Sequence, residues 1–426
     1  MIKYFIAILL ISSVSSYAAD IDTLLTAASQ RPEIKSLKLS EEISRQERAK
    51  TLFNFTPKVD FYASYEYSSR PQNLVPLTPE EMNVNKSLPI SENIYRYGVK
   101  ASMPVFMKEL FDTADILKLK KEKVGILTEI AVIKNQSLLV SLNSYFHYLN
   151  KKREYLQKRI ESLKKTKKIV KTGVDAGKVP KSELYNINKS VLELKMERED
   201  LNRQTEDVKA DIYKITGQHI DKPAKMDLAA DFENNFSGNG SHFIQMKPYK
   251  YDIKTAKEEL EKQQAYRYPK LNLSAGYTQN MGKSYNKGEF ESEDIGNVMV
   301  ELSVPVFDAK SHKEIAIAKN EILKAQQEYL NERSVLSSLE KKYSSKLPIV
   351  KKSIKQAEKD IAYAKKLLHT AKVAYKNRRM TVDDYLSYEV DVLKSESNLA
   401  ALKNEKWQIY AGQALLYGIK LTEVLK

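Results

Sequence analysis

Apolar and polar residues alternate in four short segments of the sequence. In the first of them, Val59, Phe61 and Ala63 alternate with Asp60 and Tyr62. Alternation with a period of two predicts a strand that has one apolar and one polar face. Segments of about 10–12 residues are long enough to cross a bilayer when tilted. The predicted strands cover residues about 58–68, 95–106, 270–279 and 297–307.

Each predicted strand pair is followed by a long helical pattern. Apolar residues recur there at steps of three and four, as at Ile116, Leu119 and Leu127. A pattern of this length predicts a coiled coil, and each long helix would span roughly 90–100 Å. The long helices are predicted at about 109–172 and 309–377, and the return helices at about 182–216 and 383–418.

Shorter helices precede the strand pairs, at about 22–54 and 247–266. Each ends before a proline, which disfavours helix in the residue before it. Within the second long helix, Pro348 predicts a kink or a local break.

The chain also contains an internal duplication, which sets its architecture. Three segments recur in the same order in the two halves of the sequence. The matched pairs are 55–65 with 267–277, 99–106 with 300–307, and 177–183 with 378–384. The repeated unit is therefore a strand pair followed by a long helical hairpin, and the predicted fold is mainly α with a β part.

The pattern divides the chain into five segments. The first repeat contains the hairpin at about 109–216, and the second contains the hairpin at about 309–418. The stretch between the repeats, with Gly238, Asn239 and Gly240, is interpreted as a polar connector that lies outside any core. The predicted segments are 1–18 (signal peptide), 19–216 (first repeat), 217–245 (connector), 246–420 (second repeat) and 421–426 (tail).

The N-terminus predicts export from the cytoplasm. Lys3 precedes an apolar run at 5–11, and small residues follow, which is typical of a secretory signal peptide. We predict cleavage after Ala18, with Ala19 as the alternative. No later segment is expected to supply an apolar run of about 18 residues, so no membrane helix is predicted. The protein would be periplasmic, secreted or inserted in the outer membrane as a barrel.

Composition excludes several classes of function. The chain has no cysteine, so disulfides, thiol catalysis and a lipid-bearing cysteine are excluded. No two of its five histidines lie three to five residues apart, so no metal or cofactor is predicted. We find no nucleophile–base set or phosphate loop, and we predict that the protein is not an enzyme. The net charge of +15 is spread along the helices, which argues against nucleic acid as a partner.

Four strands are too few for a membrane barrel in one chain, because the smallest transmembrane barrels have about eight. Every backbone group in lipid needs a partner, so membrane strands would have to be shared among several chains. The apolar strand face would meet lipid and the polar face would line a lumen. Tyrosines near the strand ends fit an aromatic girdle. They are Tyr65, Tyr67, Tyr95, Tyr97 and Tyr277.

The order and duplication of these features resemble the TolC-like outer-membrane efflux family. The resemblance covers about residues 20–420 and includes the strand endings Met-Pro-Val-Phe at 103–106 and Val-Pro-Val-Phe at 304–307. It implies a homotrimer in the bacterial outer membrane, with a 12-stranded barrel continued by a helical coiled-coil tube in the periplasm. The implied function is an exit channel for small molecules or proteins. Its implied partners are outer-membrane lipid, a periplasmic adaptor and, through the adaptor, an inner-membrane pump.

The alternative from the residues is a periplasmic coiled-coil adaptor or scaffold without a pore. It explains the hairpins and the signal peptide. It does not explain four alternating segments of membrane length, and no membrane anchor for an adaptor is visible.

The same resemblance assigns roles to the two hairpin turns, which would lie at the periplasmic end. It implies a pore constriction at Asp384 with Asp383 beside it, where three symmetry-related carboxylates would attract cations. We hypothesise that Arg378, which replaces the usual glycine, and Arg379 form ion pairs there. The alternative is that Thr381 is an N-cap and the aspartates complement the helix dipole. Adaptor docking is implied for Gly173, Val174, Gly177, Val179, Met380 and Thr381.

Overall fold

The structure, a computed structural model, describes residues 20–79, 82, 86–227, 243–377 and 379–425. The signal peptide and Arg378 lie outside the described residues, and so does the side chain of Asp383. In chain order the elements are α1 (Ile21–Ala28), α2 (Pro32–Phe53), β1 (Lys58–Asn73), β2 (Ile90–Phe106), α3 (Lys108–Asp175), α4 (Lys181–Thr216), α5 (Met246–Gln264), β3 (Lys270–Lys283), β4 (Phe290–Ser303), α6 (Ala309–Lys376) and α7 (Val382–Tyr417).

The four strands form one antiparallel sheet in the order β1-β2-β3-β4. The two repeats meet where β2 pairs with β3, for example through Val99 and Tyr277. Most of the described residues outside this sheet are helical, in agreement with the predicted architecture of strand pairs and long helical hairpins. Each repeat therefore supplies half of the sheet and one hairpin.

The strand ends differ from the prediction. All four strands continue farther into the predicted loops, since β1 runs to Asn73, β2 begins at Ile90, β3 runs to Lys283 and β4 begins at Phe290. At its other end β4 stops early, at Ser303, and the segment from Val304 to Phe307 is not a strand. Proline has no N–H to donate to a ladder, and Pro305 lies just after this strand, which has no second neighbour within the chain.

The predicted helix at about 22–54 is wrong as a single element. The structure has a short α1 and a separate α2, with the break at Ser29, Gln30 and Arg31. Pro32 is the first residue of α2, a position that suits proline because the N–H there has no helical partner. The four apolar residues that α1 buries pack in a core, and α2 is mostly exposed, so the two helices have different surroundings.

Of the kink or local break predicted at Pro348, the local break is absent. The helix α6 is continuous from Ala309 to Lys376 with Pro348 inside it. A single proline removes one hydrogen bond of the helix, and the neighbouring Leu347 packs against the core and holds the segment in place. The long helices α3 and α6 each contain 68 residues.

Two compact units divide the chain, and each draws on both repeats. The first contains the described residues of 1–37, 126–247 and 331–426, including both hairpin turns. The second contains 38–125 and 248–330, including the whole sheet. The compact units therefore do not coincide with the repeats seen in the sequence.

The first unit is built around a buried cluster of aliphatic and aromatic side chains. Tyr410 and Phe146 are the largest members, and Leu24 and Leu25 of α1 pack against them. These side chains are almost completely removed from water, and each contributes roughly 1.5–3 kcal/mol of hydrophobic stabilisation.

The connector is more than a polar linker. Ile220 and Ala224 are buried members of the same cluster, so the prediction that the connector lies outside any core is wrong for its described part. Gly238, Asn239 and Gly240 lie outside the described residues. The amide of Asn143 bonds the carbonyl of Ala224 at 2.8 Å and its N–H at 2.9 Å. His147 contacts the same carbonyl at 2.6 Å. Side chains of α3 thus satisfy the backbone of the connector, which allows it to be buried.

One helix among the described residues, Lys108–Asp175, is long and apolar enough over 18 residues to pass for a membrane span by length and composition. The sequence expectation that no later segment approaches such a run was therefore too strict. A single helix of this kind is weak support for a span, because core helices share the same composition. In α3, Ile133, Leu139 and Leu149 are fully buried within the protein.

Candidate functional site

The first hairpin turn is closed by backbone hydrogen bonds around a glycine. Gly177 has a φ of +67°, a region that side chains with a Cβ rarely adopt. The N–H of Lys178 donates to the carbonyl of Gly173 at 2.8 Å, and the N–H of Gly177 donates to that of Val174 at 2.9 Å. This pair of bonds is a Schellman motif, which satisfies the last carbonyls of α3.

The second turn uses a side-chain cap at the start of its return helix. The hydroxyl of Thr381 accepts a hydrogen bond from the N–H of Asp384 at 3.1 Å and donates to the carboxylate of Asp384 at 2.7 Å. The N–H of Arg379 donates to the carbonyl of Ala374 at 2.9 Å, with the same spacing as the bond between Lys178 and Gly173. Thr381 is therefore the N-cap of α7, as the alternative interpretation proposed.

A shared apolar cluster joins the two turns. Buried residues of all four hairpin helices form it, including Ile187 of α4 and Leu386 of α7. The rings of Tyr375 and Tyr385 stack with centroids 5.1 Å apart. Three residues with predicted roles in the turns pack against this cluster, which brings the two predicted docking segments together. They are Val174, Val179 and Met380, and Val382, a buried neighbour without a predicted role, belongs to the cluster itself.

A buried ion pair links the two hairpins beside this cluster. Arg159 of α3 donates to the carboxylate of Glu389 of α7 and, at 3.0 Å, to the carbonyl of Leu386. Ser162 and Tyr385 also donate to Glu389, the latter at 2.6 Å. The two charged side chains are only 6% and 9% exposed. Burial lowers the pKa of Arg159 to about 10, so the guanidinium stays charged at neutral pH.

Sequence reasoning missed this pair. Arg159 and Glu389 lie in charge-rich helices, where they look like ordinary surface residues. One signal was available, because Arg159 falls on the face of α3 that also carries Leu156 and Leu163, which are buried. A charged residue on an apolar face needs a partner, but the partner's identity is not encoded locally.

The remaining predicted tip residues are at the surface. Asp384 and Thr381 are exposed, and so is Gly177. Gly173 is half-buried, and a Cβ at that position would lie 2.7 Å from Val179. Within the described part of the chain Arg379 forms no ion pair, and the hypothesised pairing of Arg378 and Asp383 falls outside the described side chains.

The sheet in the second unit presents a wide apolar face. The register aligns Val59, Ala101, Ala275 and Val298 in one row across the four strands. The apolar residues on the two outer strands are left uncovered by the chain itself. Val59, Phe61, Val298, Val300 and Leu302 are between 63% and 75% exposed.

The opposite face of the sheet is polar and carries internal pairs. Arg96 pairs with Glu66, and Lys58 pairs with Asp60 at 3.2 Å. Polar and apolar residues are thus sorted onto two faces, which is the arrangement of a sheet with lipid on one side and water on the other.

Tyr62 on this polar face crosses the neighbouring strand. Its hydroxyl lies 2.5 Å from the hydroxyl of Thr278 on β3. Gly98 occupies the position between them in the sheet register. A Cβ on Gly98 would meet the carbonyl of Tyr277 and lie 2.9 Å from the Cα of Thr278, so the site requires glycine.

Aromatic contacts occur within the sheet and at its helix end. Tyr65 and Tyr95 have ring centroids 5.0 Å apart. Both lie well inside their strands, because β1 continues to Asn73 and β2 begins at Ile90, so the predicted position near the strand ends is wrong for these two tyrosines.

At the helix end, the ring centroid of Phe111 lies 4.7 Å from that of Phe55 and 6.3 Å from that of Phe106. The sequence signal for this second cluster is the Pro-Val-Phe ending of β2, which was not recognised as part of an aromatic cluster from the sequence.

The described residues contain no group of three or more His, Asp or Glu side chains placed to hold a metal ion.

No family model and no curated protein matches the sequence. Solved structures do match it across nearly its whole length. The CmeC outer-membrane channel of Campylobacter jejuni has a TM-score of 0.78 at 14% identity, covering 94% of this chain and 86% of that one.

The chain has the fold of a TolC-like outer-membrane channel. The outer-membrane protein VceC of Vibrio cholerae has a TM-score of 0.76 at 13% identity, covering 93% of this chain and 96% of that one. The open state of the MtrE outer-membrane channel of Neisseria gonorrhoeae has a TM-score of 0.71 at 14% identity, covering 96% and 94%. This chain and these channels therefore share a fold at 13–14% sequence identity, as expected when many sequences satisfy the same pattern of buried positions.

Proposed function

We propose that the protein is an outer-membrane exit channel, assembled as a homotrimer, that releases small molecules or proteins delivered from a periplasmic pump. The observation that carries this proposal is the uncovered apolar face of the sheet. Val298, Val300 and Leu302 of β4 lie on it side by side with the other strands' apolar residues. A soluble protein rarely exposes an apolar surface of this extent, whereas lipid would cover it at no cost.

The open edges of the sheet support assembly from several chains. Strands β1 and β4 each have a neighbour on one side only within the chain. Unpaired backbone groups are costly in lipid, so these edges need partners. Four strands from each of three chains give a closed barrel of 12, which is within the size range of membrane barrels.

The helices of the second unit pack against one another but, like the sheet, leave apolar side chains exposed. Lys121 of α3 pairs with Glu41 of α2 at 4.0 Å, and Lys123 pairs with Asp252 of α5 at 2.5 Å. The outer members of this helical group, α2 and α6, leave aliphatic side chains exposed. These are Leu39 and Ile43 on α2 and Leu323 and Leu330 on α6. Neighbouring copies of the chain would cover them, which supports the homotrimer.

The turns are proposed to act as the periplasmic end of the channel. Asp384, with Asp383, would narrow the pore, and the clustered segments around Val174, Val179 and Met380 would receive a periplasmic adaptor protein. The inner-membrane pump would connect through that adaptor. The fold of the solved outer-membrane channels supports this orientation, and nothing in the described residues points to catalysis.

The decisive experiment is the native mass of the mature protein, extracted from outer membranes in detergent and corrected for bound detergent. We expect a mass of three chains, and discrete conductance steps when the trimer is added to planar bilayers. A water-soluble monomer would overturn the proposal and would favour the periplasmic scaffold instead. A detergent-soluble trimer without conductance would contradict the channel role while leaving the membrane assignment in place.

A further inference from the structure

A cavity of about 330 Å³ lies within the first unit, between one helix of each hairpin and the connector. Its lining residues come from α3, from the part of the connector that follows Ala224, and from α7. Ligand sites in proteins typically enclose about 300–1,000 Å³, so this volume suits a small molecule. None of the lining residues was assigned to the constriction, the turns or the sheet, so the cavity stands apart from the proposed channel function.

The floor of the cavity is apolar and aromatic. Tyr148 of α3, Met226 of the connector and Trp407 of α7 line it, and each also packs against the buried cluster of the first unit. All three side chains are half-buried. Aromatic rings and a flexible thioether form a surface against which a planar apolar molecule packs well.

Hydrogen bonds between the lining elements hold the walls of the cavity in place. The hydroxyl of Ser144 donates to the side-chain oxygen of Asn404 at 2.9 Å, which joins α3 to α7. The ring of His147 contacts the carbonyl of Ala224 at 2.6 Å, which joins α3 to the connector. The cavity is therefore formed before any ligand enters, as is usual for small-molecule sites.

The rim of the cavity is positively charged. Three exposed lysines line it, together with one exposed acidic residue. Two of the lysines have acidic neighbours outside the cavity, in exposed pairs that contribute little and exchange readily. The charged lining residues are Lys151, Lys225, Lys403 and Asp227.

Several hydrogen-bond donors of the cavity have no protein partner. Within the described part of the chain, Lys225 forms no ion pair, and neither the indole N–H of Trp407 nor the hydroxyl of Tyr148 forms a hydrogen bond. Tyrosine and tryptophan in partly buried positions usually find a partner for their polar groups. Unpaired donors and lysines around an aromatic floor favour a ligand that has an anionic group on a planar apolar body.

The aromatic floor does not follow from the duplication of the chain. In the alignment of the two repeats, Tyr148 corresponds to Ile349 and Trp407 corresponds to Glu206. The connector, which supplies Met226, occurs once. The combination of aromatic floor and basic rim is thus specific to this one place in the sequence.

We infer that this cavity binds a small planar aromatic anion, such as an aromatic carboxylate. The ring system lies against Tyr148 and Trp407, and the anionic group lies towards Lys225 and Lys403. Such a molecule contacts α3, α7 and the connector together. Its binding therefore stabilises the packing of the two hairpins against each other.

The test uses the full-length mature protein in a non-ionic detergent, labelled with fluorotryptophan and titrated with 2-naphthoate. Because Trp407 is the one tryptophan of the sequence, the fluorine NMR spectrum has a single protein resonance, which comes from the cavity itself. We expect 2-naphthoate to shift this resonance until the shift saturates, and to raise the melting temperature. The uncharged analogue 2-naphthamide, with the same ring system, should bind about fivefold more weakly.

Two sets of variants locate the binding site. The variant K225Q/K403Q should weaken 2-naphthoate binding about fivefold, because each exposed ion pair contributes a factor of roughly 1.5 to 5. The matched control K222Q/K394Q removes the same charge from exposed positions of the same two elements that do not line the cavity, and should bind as the wild type does. A400F places a large side chain at the cavity wall and should abolish the saturable shift.

Four outcomes would each overturn the inference. These are a shift that grows without saturation, as partition into detergent would produce, equal affinity for 2-naphthamide, equal affinities in the two lysine variants, and unchanged binding in folded A400F. Circular dichroism and the melting temperature establish that each variant is folded. If A400F does not fold, the lysine variants and 2-naphthamide decide the result. Conductance and native mass test the channel separately, so a conducting trimer that binds no 2-naphthoate would contradict this inference alone.

Discussion

Arg159 and Glu389, from different hairpins, form a buried ion pair, and each also has further hydrogen bonds within the protein. Removing one partner would leave an uncompensated charge in the interior. Buried pairs broken in this way cost about 3–5 kcal/mol, whereas replacing both partners with apolar residues of similar size is often neutral or stabilising. We therefore expect R159M and E389L each to lower the melting temperature of the detergent-solubilised protein.

The double variant R159M/E389L should recover most of that loss. The comparison of single and double variants gives the coupling between the two residues. The exposed pair of Lys158 and Glu154 on the same helix is the control, because exposed pairs contribute about 0–1 kcal/mol. Additive effects of R159M and E389L would show that the two hairpins are not joined through this pair.

Val298 lies on the apolar face of β4, and its neighbour Asn297 lies on the polar face. If the apolar face contacts lipid, V298R should cost about 2–4 kcal/mol near the middle of the bilayer and reduce the trimer recovered from outer membranes. On the same hypothesis, the matched variant N297R would place its charge in the lumen and should insert normally. Equal recovery of both variants would argue against a lipid-facing sheet.

Gly98 of β2 lies between Tyr62 and Thr278 in the sheet. The side chain of Tyr62 passes over Gly98 to reach the hydroxyl of Thr278. The variant G98A places a Cβ against the backbone of β3 and should lower the yield of assembled protein. Gly296 is the control, because a Cβ there meets no atom closer than 4.0 Å. We expect G296A to assemble like the wild type, as judged by resistance of the trimer to dissociation in mild detergent. Similar yields for the two variants would mean that β2 and β3 separate easily.

Asp384 is exposed at the start of α7. The variant D384N keeps the backbone N–H that Thr381 caps but removes the charge. If three copies of Asp384 line the constriction, D384N should raise the single-channel conductance or weaken block by divalent cations. D175N, in the first turn, is the control and should change neither property. Unchanged conductance and block in D384N would contradict the constriction and leave the aspartate as part of a helix cap.

Much of this fold was predictable because it depends on local patterns. Alternation around Phe61 and Val300 predicts strands, and the long stretches of helical periodicity predict the hairpins, since both periods are properties of neighbouring residues. The turn at Gly177 was predictable for the same reason, as only glycine adopts its backbone conformation easily. Duplication of these patterns also predicted the order of the elements.

Features that depend on contacts between distant residues were decided only by the tertiary structure. The pairing of Arg159 with Glu389, the burial of Ala224 under Asn143, and the path of Tyr62 over Gly98 each join parts of the chain that no local period relates. The continuous helix through Pro348 is similar, because packing outweighs a local preference. By itself, therefore, the sequence determined the strands, the helices and their repetition, since these follow from the spacing of apolar residues. Only the tertiary structure decided which charged and polar residues are buried together, because the free energy of burying a charge depends on a partner far away in the chain.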